Sequence, residues 1–167
     1  MSTLQLLLLR HGKAENGPTG LPDHDRQLAS RGRLNARDQA HAFRPATADG
    51  MLVSSAKRTQ QTADILIETW TELGTPASTM PIRRDTPQGY LASAHQWMSL
   101  IAMEQGASRL WIVAHNPGIS ELVMLLTGQN IGMTTADIVQ IHLDLATWVD
   151  IAPGQGQVTR HRTGRGV

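Results

Sequence analysis

Two histidines in this sequence stand where apolar runs end. Leu6-Leu7-Leu8-Leu9 runs into Arg10-His11-Gly12, and Leu110-Trp111-Ile112-Val113-Ala114 runs into His115-Asn116-Pro117. A third run, Met51-Leu52-Val53, stops at Ser54-Ser55, with Arg58 shortly after it. An imidazole with one unprotonated nitrogen is a nucleophile near neutral pH, because it ordinarily titrates at about 6.5. A guanidinium presents a planar fork of donors that fits phosphate oxygens. Two imidazoles and at least one guanidinium facing one pocket would hold a phosphoryl group. Nearby arginines would also keep His11 neutral, since they disfavour a further positive charge. The far nitrogen of that ring needs an acceptor to fix its tautomer, and a carbonyl of the tight Gly12 turn is the candidate.

Whether these groups meet depends on the elements that carry them. The three apolar runs are short, nearly continuous and abruptly ended, the pattern of strands buried on both faces of a parallel sheet. A weaker strand is expected around Met80 to Arg83. Helical spacing fills the gaps: Ser30 caps a helix running to about Phe43 with Leu34, Ala36 and Ala40 on one side, and Ala56 to Trp70 forms a stronger one. Ser93 with Gln96 makes a capping-box pattern, and Asn116-Pro117 looks like a cap with a first-turn proline before a helix stopping at Gly128. Val139, Ile141, Leu143 and Leu145 alternate with polar residues, as in a half-exposed strand, and Val158 to Arg162 is a candidate final strand. The expected fold class is α/β, a three-layer α/β/α sandwich over residues 1–167 as one domain. Its central sheet is mostly parallel, with a C-terminal antiparallel edge strand. In such sheets ligands bind beyond the carboxyl ends of strands, where Arg10, His11, Ser54, Ser55, His115 and Asn116 all lie. Arg58 joins them from the first turn of the following helix, and helix N-termini there favour an anion.

The motifs resemble those of a known family. Leu8-Leu9-Arg10-His11-Gly12 is similar to the Arg-His-Gly signature of the histidine phosphatase superfamily, which includes cofactor-dependent phosphoglycerate mutases. Ser54 to Ala63 resembles its second motif, and Val113 to Gly118 its second-histidine motif. Asp25-Arg26-Gln27-Leu28 with Arg31-Gly32-Arg33 resembles a stretch of the small members, and the short chain with its Ala152 to Gly156 tail is most similar to SixA-type phosphohistidine phosphatases. The resemblance implies a phosphoglycerate mutase-like fold and a phosphatase with His11 as nucleophile. Arg10 and Arg58 clamp phosphoryl oxygens, His115 stabilises the transition state, and Gly12 and Lys13 line the substrate site. It implies no cofactor and no metal. The implied partner is a phosphohistidine protein or a small phosphorylated substrate. Asp85 is the candidate general acid; Asp23, Asp25 and Glu15 are rivals better explained as solvated loop residues. Ser54, Ser55 and Asn116 are expected to serve turns and caps. His24, His41, His95, His142 and His161 are expected on the surface or in packing, and Trp70, Trp97, Trp111 and Trp148 in the core. A non-catalytic phosphate- or phosphoprotein-binding module is the alternative from another class.

Composition narrows the field further. A formal charge of +1 gives no global electrostatic case for a nucleic-acid partner or a membrane surface. The basic stretch Arg160 to Arg165 is short, as expected of a terminal edge strand. With no cysteine, disulfides and thiol chemistry are excluded. The first apolar run is too short for a spanning helix or signal core and has no cationic leader, so a cytoplasmic location is expected.

Overall fold

The computed structural model describes residues 3–164. In chain order the elements are β1 (Leu4–Arg10), α1 (Ser30–Ala42), β2 (Asp49–Ser54), α2 (Lys57–Glu72), β3 (Ile82–Thr86), α3 (Ala94–Ala102), β4 (Arg109–Ala114), α4 (Gly118–Thr127), β5 (Ile138–Leu143) and β6 (Gly156–Arg162). The strands form one sheet in the order β3-β2-β4-β1-β5-β6. β3, β2, β4 and β1 are mutually parallel, whereas β5 runs antiparallel to both β1 and β6. This is the mostly parallel α/β architecture with antiparallel strands at its C-terminal edge.

Alternation along the central strands explains why their sequences are apolar throughout. Leu6 and Leu8 of β1 pack with Leu110 and Ile112 of β4 against Trp97 and Ile101 of α3 and Leu122 and Val123 of α4. Leu7 and Leu9 join Trp111 and Val113 on the other face, against Ala40 of α1 and Ala63, Leu66 and Trp70 of α2. Successive side chains of a strand point to opposite faces, so a strand covered on both sides needs no polar position. All four tryptophans are buried, and Trp70 Nε1 donates to the Ala40 and Phe43 carbonyls.

Several elements differ from the expected ones. The fourth strand lies at 82–86, not around Met80 to Arg83, because pairing from Gly50↔Ile82 to Ser54↔Thr86 defines it. It is an edge strand, and its sequence is correspondingly polar. Leu34 is exposed, and α1 instead buries Gly32, Asn35, Ala36, Gln39 and Ala40. The helix is rotated this way because Gly32 sits directly on the Lys13 backbone, with no room for a side chain. Ser30 is the first residue of α1 rather than its cap; Ala29 takes the cap position, its N–H donating to the Lys13 carbonyl at 2.8 Å. The Ser93–Gln96 capping box is complete in both arms. Arg160 and Arg162 lie on β6, Arg160 over the Phe43 ring and Arg162 on Asp38 and Gln39 of α1. Arg165 is outside the described residues. No helix among the described residues is long and apolar enough to cross a membrane.

Candidate active site

Because β1 and β4 are adjacent and parallel, with Arg10 opposite Ala114, the residues that follow them emerge side by side. The His11 and His115 ring centroids are 5.2 Å apart. The turn after β1 is pressed tightly against α1: a Cβ on Gly12 would stand 2.6 Å from the Gly32 carbonyl oxygen. Its backbone is pinned from α2 as well, where Thr62 Oγ1 accepts from Gly12 N–H at 3.1 Å and donates to the Arg58 carbonyl. The turn that carries His11 is therefore fixed by two helices.

His11 Nδ1 lies 2.7 Å from the Gly12 carbonyl oxygen. A carbonyl only accepts, so Nδ1 carries the proton and Nε2 is left with its lone pair. Arg58 Nε donates toward that lone pair at 3.3 Å. Burial is the main influence holding His11 well below an ordinary imidazole, at about 4; Arg58, Arg10 and Arg26 add to it, against the Gly12 hydrogen bond. His115 is pushed down to about 3, by burial first and then by His11 and Arg58. Its Nε2 is 2.7 Å from the Ser54 hydroxyl, while its buried Nδ1 has no partner among the described residues. Both rings are thus neutral at physiological pH.

These groups line a pocket of about 240 Å3 with Arg10, Arg26, Lys13, Asn116 and Thr135. Arg10 is held by its Nη1 donating to the Met133 carbonyl at 2.9 Å. Arg58 is buried, with Nη1 on the Asp23 carbonyl at 2.6 Å and Nη2 on the Asp23 carboxylate at 2.9 Å. Three guanidinia and an ammonium around two neutral imidazoles suit a phosphoryl dianion. Among the described residues no carboxylate lines the pocket.

Asp85 is not brought to this site. It is exposed on the edge strand and bound by Arg83 at 2.9 Å, which also holds Asp64 at 2.5 Å and the Gln60 side chain. β2 separates the edge strand β3 from β4, so Asp85 is two strands away from the nearer of the two histidine-bearing strands. Asp23, expected as a solvated loop residue, instead sits beside the site. Burial tends to raise its pKa, but hydrogen bonds from Tyr90, Arg26 and Arg58 outweigh that and hold the carboxyl well below its usual range. It is an ionised clamp on Arg58 and no proton donor at neutral pH.

Other side chains also differ from their expected roles. Ser54 and Ser55 hold histidines rather than capping: the Ser55 hydroxyl is 2.9 Å from Nε2 of His24, and α2 has no side-chain cap. His24 is therefore at the site, edge-on to the Tyr90 ring at 4.8 Å. Tyr90 also stands edge-on to His115 at 5.6 Å and donates to Asp23 at 2.8 Å. Asn116 does not cap α4; its amide donates to the Met133 carbonyl and its oxygen accepts from Ser120. Arg26, Tyr90 and His24 had no spacing signal that would assign them to this pocket. The one cue was the Asp25-Arg26-Gln27-Leu28 motif, which places an arginine near the first histidine turn.

The model of the histidine phosphatase superfamily (branch 1) matches residues 6–85, which carry Arg10, His11 and Arg58. No curated protein sequence matches the chain. A protein from Nakamurella multipartitia designated a candidate phosphohistidine phosphatase SixA shares the fold with a TM-score of 0.77 at 20% identity, covering 97% of this chain and 96% of that one. The protein histidine phosphatase SixA complexed with tungstate aligns with a TM-score of 0.74 at 20% identity, over 96% of this chain and 97% of that one. A mycobacterial glucosyl-3-phosphoglycerate phosphatase aligns with a TM-score of 0.64 at 15% identity, over 94% and 97%. His115 lies outside the family match and reaches the site through β4. The chain thus carries the histidine phosphatase superfamily (branch 1) pattern over residues 6–85 and shares the fold of the SixA structures from β1 to β6.

Proposed function

We propose that this phosphatase transfers the phosphoryl group of a protein phosphohistidine to water through a covalent phosphohistidine on His11. The observation that carries the reading is the His11 ring: Nδ1 is committed to the Gly12 carbonyl, and the Nε2 lone pair faces a pocket of cationic donors. Nε2 attacks phosphorus, and its new P–N bond forms as the bond to the substrate imidazole breaks. A substrate ring carrying a proton on its far nitrogen departs neutral, keeping the electron pair of the broken bond. Water then attacks phosphorus, the pair returns to Nε2, and the protons of water pass to phosphate and solvent. Arg10, Arg58, Lys13 and the Gly12 turn position the group, and His115 Nδ1 meets its oxygens. Phosphoryl transfer depends on such positioning and charge neutralisation more than on covalent assistance.

The substrate class follows from what the pocket does not supply. An alkoxide leaving group needs a proton, and a positioned acid contributes about 10²–10⁴-fold. Among the described residues no carboxylate lines the pocket, Asp85 is held elsewhere and Asp23 is ionised. An imidazole leaving group dispenses with the acid. A fold shared with a glucosyl-3-phosphoglycerate phosphatase supports a second reading, hydrolysis of small phosphomonoesters.

A side-by-side comparison of kcat/KM for a phosphohistidine protein and a panel of phosphomonoesters separates the two. Preference for phosphohistidine by about 100-fold or more is expected from the missing acid. Equal or faster ester hydrolysis would overturn the substrate assignment. His11→Ala should abolish turnover while tungstate still binds; surviving turnover would refute the covalent intermediate, and a native protein that binds phosphate but turns over neither substrate class would favour a binding module.

A further inference from the structure

Beside the phosphoryl pocket lies a second hollow of about 500 Å3, lined by Arg10, Lys13, Arg31, Asn35, Thr134 and Thr135. Arg10, Lys13 and Thr135 border both spaces, so the two are neighbouring compartments of one cleft. Half of the lining residues are cations and none is acidic. Among the described residues neither Lys13 nor Arg31 is ion-paired, whereas Arg37, Arg83, Arg84 and Arg162 each hold a carboxylate. Arg10 has a buried Nε without a partner.

The position of Arg31 makes its charge costly. It stands in the first turn of α1, which contains no acidic residue. A helix N-terminus carries partial positive charge, so a cation there is repelled. The repulsion is relieved by an anion seated in the hollow. Clefts lined by one sign of charge also concentrate ligands of the opposite sign.

We propose that this hollow is a second anion subsite, taking a carboxylate or phosphate that belongs to the same substrate as the reacting phosphoryl group. Resting on the phosphohistidine reading above, the occupant is an acidic side chain flanking the phosphohistidine. Arg10 and Lys13 then serve both compartments, and Arg31 serves the second alone. The site selects substrates with two adjacent negative groups.

The test compares kcat/KM for phosphohistidine peptides with Glu or Gln beside the phosphorylated residue, and for phenyl phosphate with and without a ring carboxylate. The native protein should prefer the acidic member by about fivefold, the upper range for an exposed ion pair. With Arg10 and Lys13 still present, Arg31→Gln should cut the ratio to about twofold, Arg31→Glu should lower it further, and high salt should erase it in the native protein. The melting temperature of Arg31→Gln should be equal or higher, because a cation leaves the helix N-terminus. Peptides turned over without discrimination in either pair would overturn the subsite and leave the proposed function standing. Discrimination confined to the ester pair, with peptides inert, would keep the subsite and overturn the phosphohistidine reading. A preference undiminished in Arg31→Gln would also refute the assignment.

Discussion

Acidification tests the state of His11 directly. Its folded value of about 4, against 6.5 for an ordinary imidazole, comes first from burial and then from Arg58, Arg10 and Arg26. At pH 5.5 an ordinary imidazole is only about one-tenth neutral, whereas a group titrating near 4 is about 97% neutral. Nε2 should therefore keep its lone pair through a range in which a solvated histidine has lost it. The same depression carries a stability cost with a definite sign. Above pH 6.5 both folded and unfolded forms are neutral and the group contributes nothing. As the pH falls from about 6.5 to about 4 the unfolded ring takes a proton that the folded ring refuses, so native stability is lost across that window. For His11 alone the loss at pH 5 is about 2 kcal/mol. His115, held at about 3 and only 3% exposed, acts in the same direction. Ring-proton NMR titration, assigned with His11→Ala, should show no His11 midpoint down to pH 5. Urea melts at pH 7.5 and pH 5 should show the stability loss, reduced in His11→Ala. A His11 midpoint near 6.5, or melts insensitive to His11, would refute the burial argument.

Three further substitutions probe the frame around that ring. Asp23→Ala frees Arg58 Nη2 and should lower kcat/KM about tenfold through misplacement of the guanidinium, while urea melts should show a loss of about 1–3 kcal/mol because the buried Arg58 loses its carboxylate partner. Gly32→Ala should displace α1 from the Lys13 backbone and destabilise by about 1–3 kcal/mol in urea melts. Asp85→Asn should leave kcat/KM for phosphohistidine and esters within about twofold of native, since its carboxylate is engaged at the sheet edge; a large loss would restore it as the acid.

The strand-borne part of the site was open to inference because burial on both faces leaves an unmistakable apolar run. Leu6 to Leu9 and Leu110 to Ala114 could hardly be anything but central strands, and parallel pairing then forces Arg10-His11 and His115 together. Arg58 followed because the first turn of a helix after β2 has one place to point. The errors arose where the local pattern did not set the outcome. Leu34 belongs by periodicity to the inner face of α1, but close contact at Gly32 rotates the helix and buries Asn35 and Gln39 instead, Gln39 donating to the Ala136 carbonyl. Serines before a helix ordinarily cap it, yet Ser54 and Ser55 face histidines that come from distant loops. Tyr90 is 67 positions of chain from Asp23, and only the tertiary fold makes it the donor to that carboxylate.

The Asp23 contacts also bear on how Arg58 can work. A guanidinium has five N–H donors, and three of those of Arg58 are already engaged. Two donate to Asp23 and one faces the His11 lone pair, which leaves one hydrogen each on Nη1 and Nη2. A phosphoryl group can take those two without the loop at Asp23 releasing the guanidinium. In the proposed mechanism the third bond does not persist, because the Nε2 pair that now accepts from Arg58 is the pair that bonds to phosphorus. Under the proposed mechanism, attack by His11 frees Arg58 Nε–H at the moment when charge on the phosphoryl oxygens needs another donor. Asp23 holds the arginine through this exchange, so the nucleophile and its electrostatic partner trade one hydrogen bond without either side chain having to relocate.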